Sequence, residues 1–316
     1  MLNHQDWHIA VNDKNITASA TKAADFLIKK QTTEGFWHDY DLVIGSSRAW
    51  TTAYVAKALT GFANDALCIK KACKALLRIK SESGWGYNLV TSEDADTISF
   101  CLRFLNAAND KVQPETAKSL LQPFIENNGN VKTFSGIQFG SWSTEHLDVA
   151  ASVGLALAEC AEEELTELIA QRIHKHIVDN DRLNSFWWVS PVYTPSITLE
   201  FFSQWDKKHN FSKAAARHFR SSVFSLKSVM DKALFIKAEY YAAQINGEKL
   251  HTDKLKKIIK EIIVCQNPDG SWNPSAIMKI PRQSAYDPDF TLAPDLYRLM
   301  TTATAMESIM LISNQQ

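Results

Sequence analysis

Hydrophobic and polar positions sort this chain into two kinds of helical stretch that take strict turns along it. The first kind spaces apolar residues three and four apart with Lys and Glu between them: ASATKAADFLIKKQ, NDALCIKKACKALLRIK, PETAKSLLQPFIEN, EEELTELIAQRIHKHIV, KAAARHFRSSVF and TDKLKKIIKEIIVCQ. Such spacing gathers the apolar residues on one face and predicts a helix with one wet side. The second kind is small and apolar throughout: WTTAYVAKAL at 50–59, DTISFCLRFL at 96–105, DVAASVGLAL at 148–157, YTPSITLEFF at 193–202, IKAEYYAAQI at 236–245 and MTTATAMESI at 300–309. A helix that is apolar all round is buried on most sides. Alternating runs framed by Asn-Gly or Asp-Gly turns are absent, so no strand is expected.

The apolar stretches recur every 43 to 64 residues, about the size of a helix hairpin with its loops. Six wet-faced and six buried helices in alternation predict two concentric rings. The expected fold is all-α, an α6/α6 barrel of six helical hairpins, forming a single domain over residues 1–316. The joints inside the hairpins read QTTEGFW at 31–37, SESGWGY at 81–87, GIQFGSW at 136–142, RLNSFWW at 182–188 and CQNPDGSW at 265–272. Glycine suits the left-handed turn that ends a helix. Trp37, Trp85, Trp142 and Trp272 read as cement between the rings.

Composition narrows the function. A net charge of −1 and a pI near 6.8 give no reason to expect a nucleic acid partner. The basic stretch KLKKIIK at 254–260 alternates with apolar residues and reads as a solvated helix face. Cys68, Cys73, Cys101, Cys160 and Cys265 form no CxxC pair and lie in helical patterns, which suits reduced thiols in a cytoplasmic protein. The N-terminus has no secretory h-region and no run is long enough to span a bilayer; a peripheral membrane contact stays open. GxGxxG and GxxxxGK[ST] do not occur, so no nucleotide is implied.

Because the inner helices repeat, equal offsets from their ends mark equal heights in the barrel. One slot holds Trp50, Asp96, Asp148, Tyr193, Ile236 and Met300; the slot two residues earlier holds Arg48, Asp94, His146, Pro191, Leu234 and Arg298. One end thus gathers Asp94, Asp96, Asp148, His146, Arg48 and Arg298, while the inner helices below read as almost wholly apolar. Convergent ionisable groups over an apolar cavity are the usual form of a small-molecule site. Protonating an alkene requires a carboxylic acid that is neutral before reaction. Burial and a neighbouring carboxylate both push an acid toward that state. Trp50, Phe100, Trp188, Tyr193, Tyr240 and Tyr241 are the aromatic candidates for holding a cation. Arg48 and Arg298, adjacent if the ring closes, suit a substrate diphosphate or carboxylate, or pairing with the acids. Against these readings, an Asp in a first helical turn is also favoured as an N-cap.

QxxxGxW joints in a barrel of helical hairpins resemble the superfamily of squalene-hopene cyclase, oxidosqualene cyclase and class II terpene cyclases. Class II cyclases carry DxDD followed by Thr-Ala, with the middle Asp as the acid. The resemblance implies that Asp96 donates the proton and Asp94 matches the first motif acid. Thr97 stands where the third would be, and Ile98 where the Thr would be. The DVTAH stretch of the squalene-type enzymes is matched by DVAAS at 148–152, which keeps Asp148 and puts Ser152 in place of the acid-supporting His. His146 is the alternative hydrogen-bonding partner. Prenyltransferase β subunits of the same fold need a zinc set, but Arg298 stands where their DxYHTC pattern has His, and no Cys lies nearby. No Cys has Gln three residues on, as thioester domains require, and no DDxxD occurs. The resemblance implies a single-domain terpene or meroterpenoid cyclase acting on a hydrophobic prenyl-type substrate. It implies no cofactor, with Mg²⁺ relevant only to a diphosphate substrate. A catalytically silent barrel binding a hydrophobic molecule or a protein, or a pericyclic cyclase, would use the same cavity. The proline-rich stretch at 273–294 is expected to be an ordered loop over one end of the barrel.

Overall fold

A computed structural model describes residues 13–63, 67–179, 183–205, 211–250, 252–284 and 289–313. Six inner helices follow the predicted order: α2 (Ala49–Ala63), α4 (Ala95–Ala107), α6 (Leu147–Glu159), α8 (Tyr193–Trp205), α10 (Val229–Asn246) and α12 (Leu299–Ser313). Each packs on the next, and α12 closes onto α2 to complete the ring. The outer helices are α1 (Asp13–Lys30), α3 (Leu67–Ile79), α5 (Pro114–Leu121), α7 (Glu163–Val178), α9 (Phe211–Ser221) and α11 (Thr252–Val264). The α6/α6 barrel stands as expected. Residues 193–202 of α8 are all buried, as are 148–157 of α6. Outer helices bury one stripe, such as Cys68, Ile69, Ala72, Ala75 and Leu76 on α3. Each large apolar side chain sunk this way contributes about 1.5–3 kcal/mol.

Three joint tryptophans lock an outer helix to its hairpin in one way. The indole Nε1 donates to the carbonyl of Leu27 from Trp37 (2.7 Å), of Leu76 from Trp85 (2.9 Å) and of Ile262 from Trp272 (2.7 Å). Gln31 and Gln266 tie each joint to a neighbouring helix, donating to Gly35 and Cys68 carbonyls in one case and to Gly270 and Ser19 carbonyls in the other. Gly35 (φ +96°) and Gly270 (φ +92°) let the chain pass so close to α3 and α1 that a Cβ would lie 2.6 Å from the Lys71 carbonyl oxygen and 2.2 Å from that of Lys22.

Three expectations change. Two antiparallel hairpins are present: β1 (Asp39–Leu42) with β2 (Gly45–Ser47), and β3 (Ile277–Pro281) with β4 (Phe290–Pro294). Strands of three to five residues are too short to print an alternating pattern. Pro281 and Pro294 sit at strand ends, where no ladder N–H is lost. Second, α10 begins at Val229, capped by a Ser228–Asp231 capping box, so Ile236 and Leu234 lie mid-helix and Met230 and Ser228 hold the end positions of that repeat. Third, the far end of the barrel is not apolar. Each inner helix sends one charge into it: Lys57, Arg103, Glu159, Glu200, Lys237 and Glu307. Arg103 meets Glu200 at 2.5 Å and Glu159 at 3.1 Å, and Lys237 meets Glu307 at 2.5 Å and Glu200 at 3.5 Å. Lys57 stands 3.8 and 3.9 Å from Glu307 and Glu200. Burial pushes the Glu200 carboxyl up, but Lys237, Arg103 and Lys57 outweigh it and hold the group well below the usual carboxylate range.

Candidate active site

The N-terminal ends of α2 and α4, the joints and both hairpins line a cavity of about 320 Å³. Asp96, Asp94 and Thr97 form one wall, Trp50 and Trp188 another, and Tyr87, Phe134, Phe139, Trp142 and Trp187 line it from the joints. Leu42 and Ile44 of the first hairpin and Met278 and Ile280 of the second complete it. The second hairpin is fastened over this end. Lys279 N donates to Trp187 O (2.7 Å), Val189 N to Ile277 O (3.0 Å), Ser141 N to Gln283 O (2.8 Å) and Trp142 Nε1 to Pro281 O (2.8 Å). The loop expected over one end of the barrel is therefore this hairpin. Trp142 is a cavity wall bonded to it, unlike the three joint tryptophans that are cement.

Asp39, Asp94, Asp148, Asp231 and Asp295 are all buried, and each is committed to the backbone. Asp94 caps α4, accepting from Thr97 N (2.8 Å) and Thr97 Oγ1 (2.8 Å). Asp148 accepts from Ser185 Oγ (2.5 Å), Trp187 N (2.9 Å) and Val149 N (3.1 Å). Asp39 takes the Tyr40, Tyr297 and Leu299 amides, and Asp295 those of Ser275, Ala276 and Thr301. Asp231 takes Ser228 N and the Ser190 hydroxyl. These staples hold the joints against the helix ends; among them, Asp39 and Asp231 went unread in the sequence.

Asp96 differs from all five. It faces the cavity from the first turn of α4, and its hydrogen bond is from Trp50 Nε1 to Oδ2 (2.8 Å). Burial first, then the charges of Asp94 and Asp148, push it up to about 8. The Ser152 hydroxyl is beside it and eases the shift slightly, although its Oγ completes no hydrogen bond with protein. Asp94, pushed to about 6 by burial, is held lower than Asp96 by the Thr97 amide and hydroxyl. Of the two carboxyls that line the cavity, Asp96 is the one pushed above neutral pH.

His146 does not reach the acids. Its Nε2 lies 3.0 Å from the Ser141 carbonyl, which fixes the proton there, and Thr133 Oγ1 donates to Nδ1 (2.8 Å). Thr133 in turn accepts Trp187 Nε1–H (2.8 Å). Burial holds the imidazole below its ordinary range, stacked 3.7 Å from Phe186. His146 thus positions a wall of the cavity.

Of the aromatic candidates, four come together. Trp50 stacks on Trp188 (5.5 Å between ring centroids), Trp188 on Tyr193 (5.0 Å), and Phe100 meets Trp50 edge-on (5.2 Å). Tyr40 and Tyr54, missed in the sequence, join the same layer. The Tyr193 hydroxyl is buried without a partner. Tyr240 and Tyr241 do not belong to the site. Tyr241 sits among Glu200, Lys237 and Glu307, and Tyr240 accepts from Gln244; the early start of α10 misplaced both. Arg48 and Arg298 also miss the cavity. Arg48 lies over the Phe36 ring (5.2 Å), while Arg298 lies over Phe26 (5.1 Å) and binds Asp269 and Ser271. Among the described residues, no three His, Cys, Asp or Glu side chains converge as a metal-binding set.

No protein-family model and no curated protein sequence matches the chain. Solved structures do, and they share the α/α-barrel fold of the type II terpene cyclases. Type II terpene cyclase MstE from Scytonema, in an R337A variant complexed with geranylgeranyl dihydroxybenzoate as substrate, superposes with a TM-score of 0.80 at 19% identity, over 96% of this chain and 99% of that one. A protein from Actinoplanes gives 0.80 at 22% identity, over 94% and 99%. The ent-copalyl diphosphate synthase of Streptomyces platensis gives 0.59 at 10% identity, over 84% of this chain and 50% of that one.

Proposed function

We propose that the protein is a class II-type cyclase that starts cyclisation of a polyprenyl chain by protonating its terminal alkene or epoxide from Asp96. One observation carries this reading. Of six aspartates at the barrel mouth, Asp96 alone faces the cavity without a backbone amide to hold its charge, so it retains a proton at neutral pH. Asp94 and Asp148 raise its pKa through their charges. The Trp50 indole N–H accommodates the carboxylate left after transfer. Trp50 and Trp188, which line the cavity with Phe100 and Tyr193 packed behind them, stabilise the migrating cation by about 0.5–2 kcal/mol each. The two hairpins and Trp142 keep out water that would quench it. Loss of a proton or capture of water ends the cascade. Likeness to MstE, whose complex holds a geranylgeranyl arene, supports a hydrophobic prenyl substrate.

A second reading, a binding barrel without catalysis, draws on Thr97, which donates to Asp94 where the related motif has a third acid. Incubating wild type and Asp96→Asn with prenylated arenes, alcohols and diphosphates separates the two. Cyclised product from wild type, reduced at least 100-fold in the variant, is the expected outcome. Undiminished turnover by Asp96→Asn overturns the assignment, and tight binding without product leaves the binding barrel.

A further inference from the structure

The cavity wall holds two carboxylic acids and, among the described residues, no Lys, Arg or His. The basic side chains beside this wall have other partners or lie in solvent. Lys279 lies between the wall residues Met278 and Ile280; since side chains alternate along a strand, it leaves the cavity side and donates to the Ser185 carbonyl (2.6 Å). Arg282 faces Asp289 at 4.0 Å, Lys132 binds Glu126, and Arg48 and Arg298 are spent on Phe36 and Asp269. Residues 285–288 include no basic residue. What the rim offers instead is neutral: the hydroxyls of Thr91 and Ser92, with Ser92 exposed.

We infer that the site takes a prenyl chain with an uncharged head group, a polyprenyl phenol, alcohol or hydrocarbon, and discriminates against carboxylate and diphosphate forms. The inference rests on the cyclase reading and specifies its substrate class. An anionic head group would enter without a counter-charge, and burying an unpaired ion costs more than neutral contacts return. It would also stand in the field of Asp94 and Asp148, and of Asp96 once its proton has moved to the substrate. A hydroxyl head group meets none of these costs and finds a hydroxyl of its own kind at the exposed Ser92, the Thr91 hydroxyl being bonded to the Asn88 backbone.

The test uses the full chain and four probes with one geranylgeranyl tail: a neutral resorcinol, the free alcohol, the resorcinol bearing a ring carboxylate, and the diphosphate. Conversion is read by mass spectrometry, and affinity by quenching of tryptophan fluorescence in Asp96→Asn. Neutral probes are expected to exceed the charged ones at least tenfold in kcat/KM and in affinity. A Ser92→Arg variant, placing a cation at the rim, is expected to recover turnover of the carboxylate probe by threefold or more. Equal or better use of the charged probes overturns the head-group inference while leaving the cyclase reading intact. Preferential binding of neutral probes with no conversion supports the head-group inference and overturns the cyclase reading. Binding of none of the probes overturns both.

Discussion

Two residues apart on one helix, Asp94 and Asp96 do different work because their hydrogen bonds differ. Asp94 is an N-cap, the ordinary use of an aspartate there; Asp96, with no backbone amide to hold it, is the acid of the proposed reaction. That division has consequences for pH. An acid whose folded pKa lies near 8 against 3.8 in the unfolded chain binds more protons when folded, so its contribution to stability falls as pH rises from about 4 to 8. Asp96→Asn is therefore expected to melt at a higher temperature than wild type, with a gap wider at pH 8 than at pH 5 by calorimetry. Turnover should show a descending limb near pH 8. Asn also caps helices, so Asp94→Asn should fold, remove a like charge, and move that limb to lower pH. Trp50→Phe removes the donor to Asp96 and should move the limb to higher pH by about one unit or less. Initial rates across pH 5–10 check both. The acids were legible because their spacing and slot were. His146 was visible as a site neighbour, but its actual partner, Thr133, lies thirteen residues away on a loop that no periodicity marks.

The second hairpin is the element that turns an open barrel end into a closed cavity. Its docking depends on Gly140, at φ +55° and ψ −124°, where a Cβ would fall 2.1 Å from the Gln283 carbonyl oxygen. Gly140→Ala should loosen the hairpin without disturbing the helix rings. Faster proteolysis within 277–294 and a larger share of water-captured product are the expected signs, with helical circular dichroism unchanged. The helices were readable because the outer ones repeat a 3.6-residue stripe and the inner ones form long apolar runs between them. Strands this short have no room for a pattern, and their position over the cavity comes from contacts with residues 141–142 and 187–189, far away in sequence. Where α10 begins was also hidden, since its extra turns precede the stretch that matched the repeat.

At the scale of the whole molecule, the ring closed as the six-fold alternation required, and the six charges at its far end are what that alternation concealed. Each is one charge on a largely apolar helix, and only the closed ring brings all six together. Removing one partner leaves others buried and unpaired; Glu200→Gln should cost about 3–5 kcal/mol by denaturant unfolding. Replacing Arg103, Glu200, Lys237 and Glu307 together by apolar residues of similar volume should cost far less. The six charges also make the barrel a bottle with a sealed base. Arg103 lies seven residues beyond Asp96, about 10 Å along α4, and the aromatic layer fills the space between. On the cyclase reading, a flexible chain would thread in past the hairpins, but a rigid polycycle made from it would have only the same neck to leave by. Egress, not bond formation, would then set the pace, with a burst of first-turnover product ahead of a slower steady state.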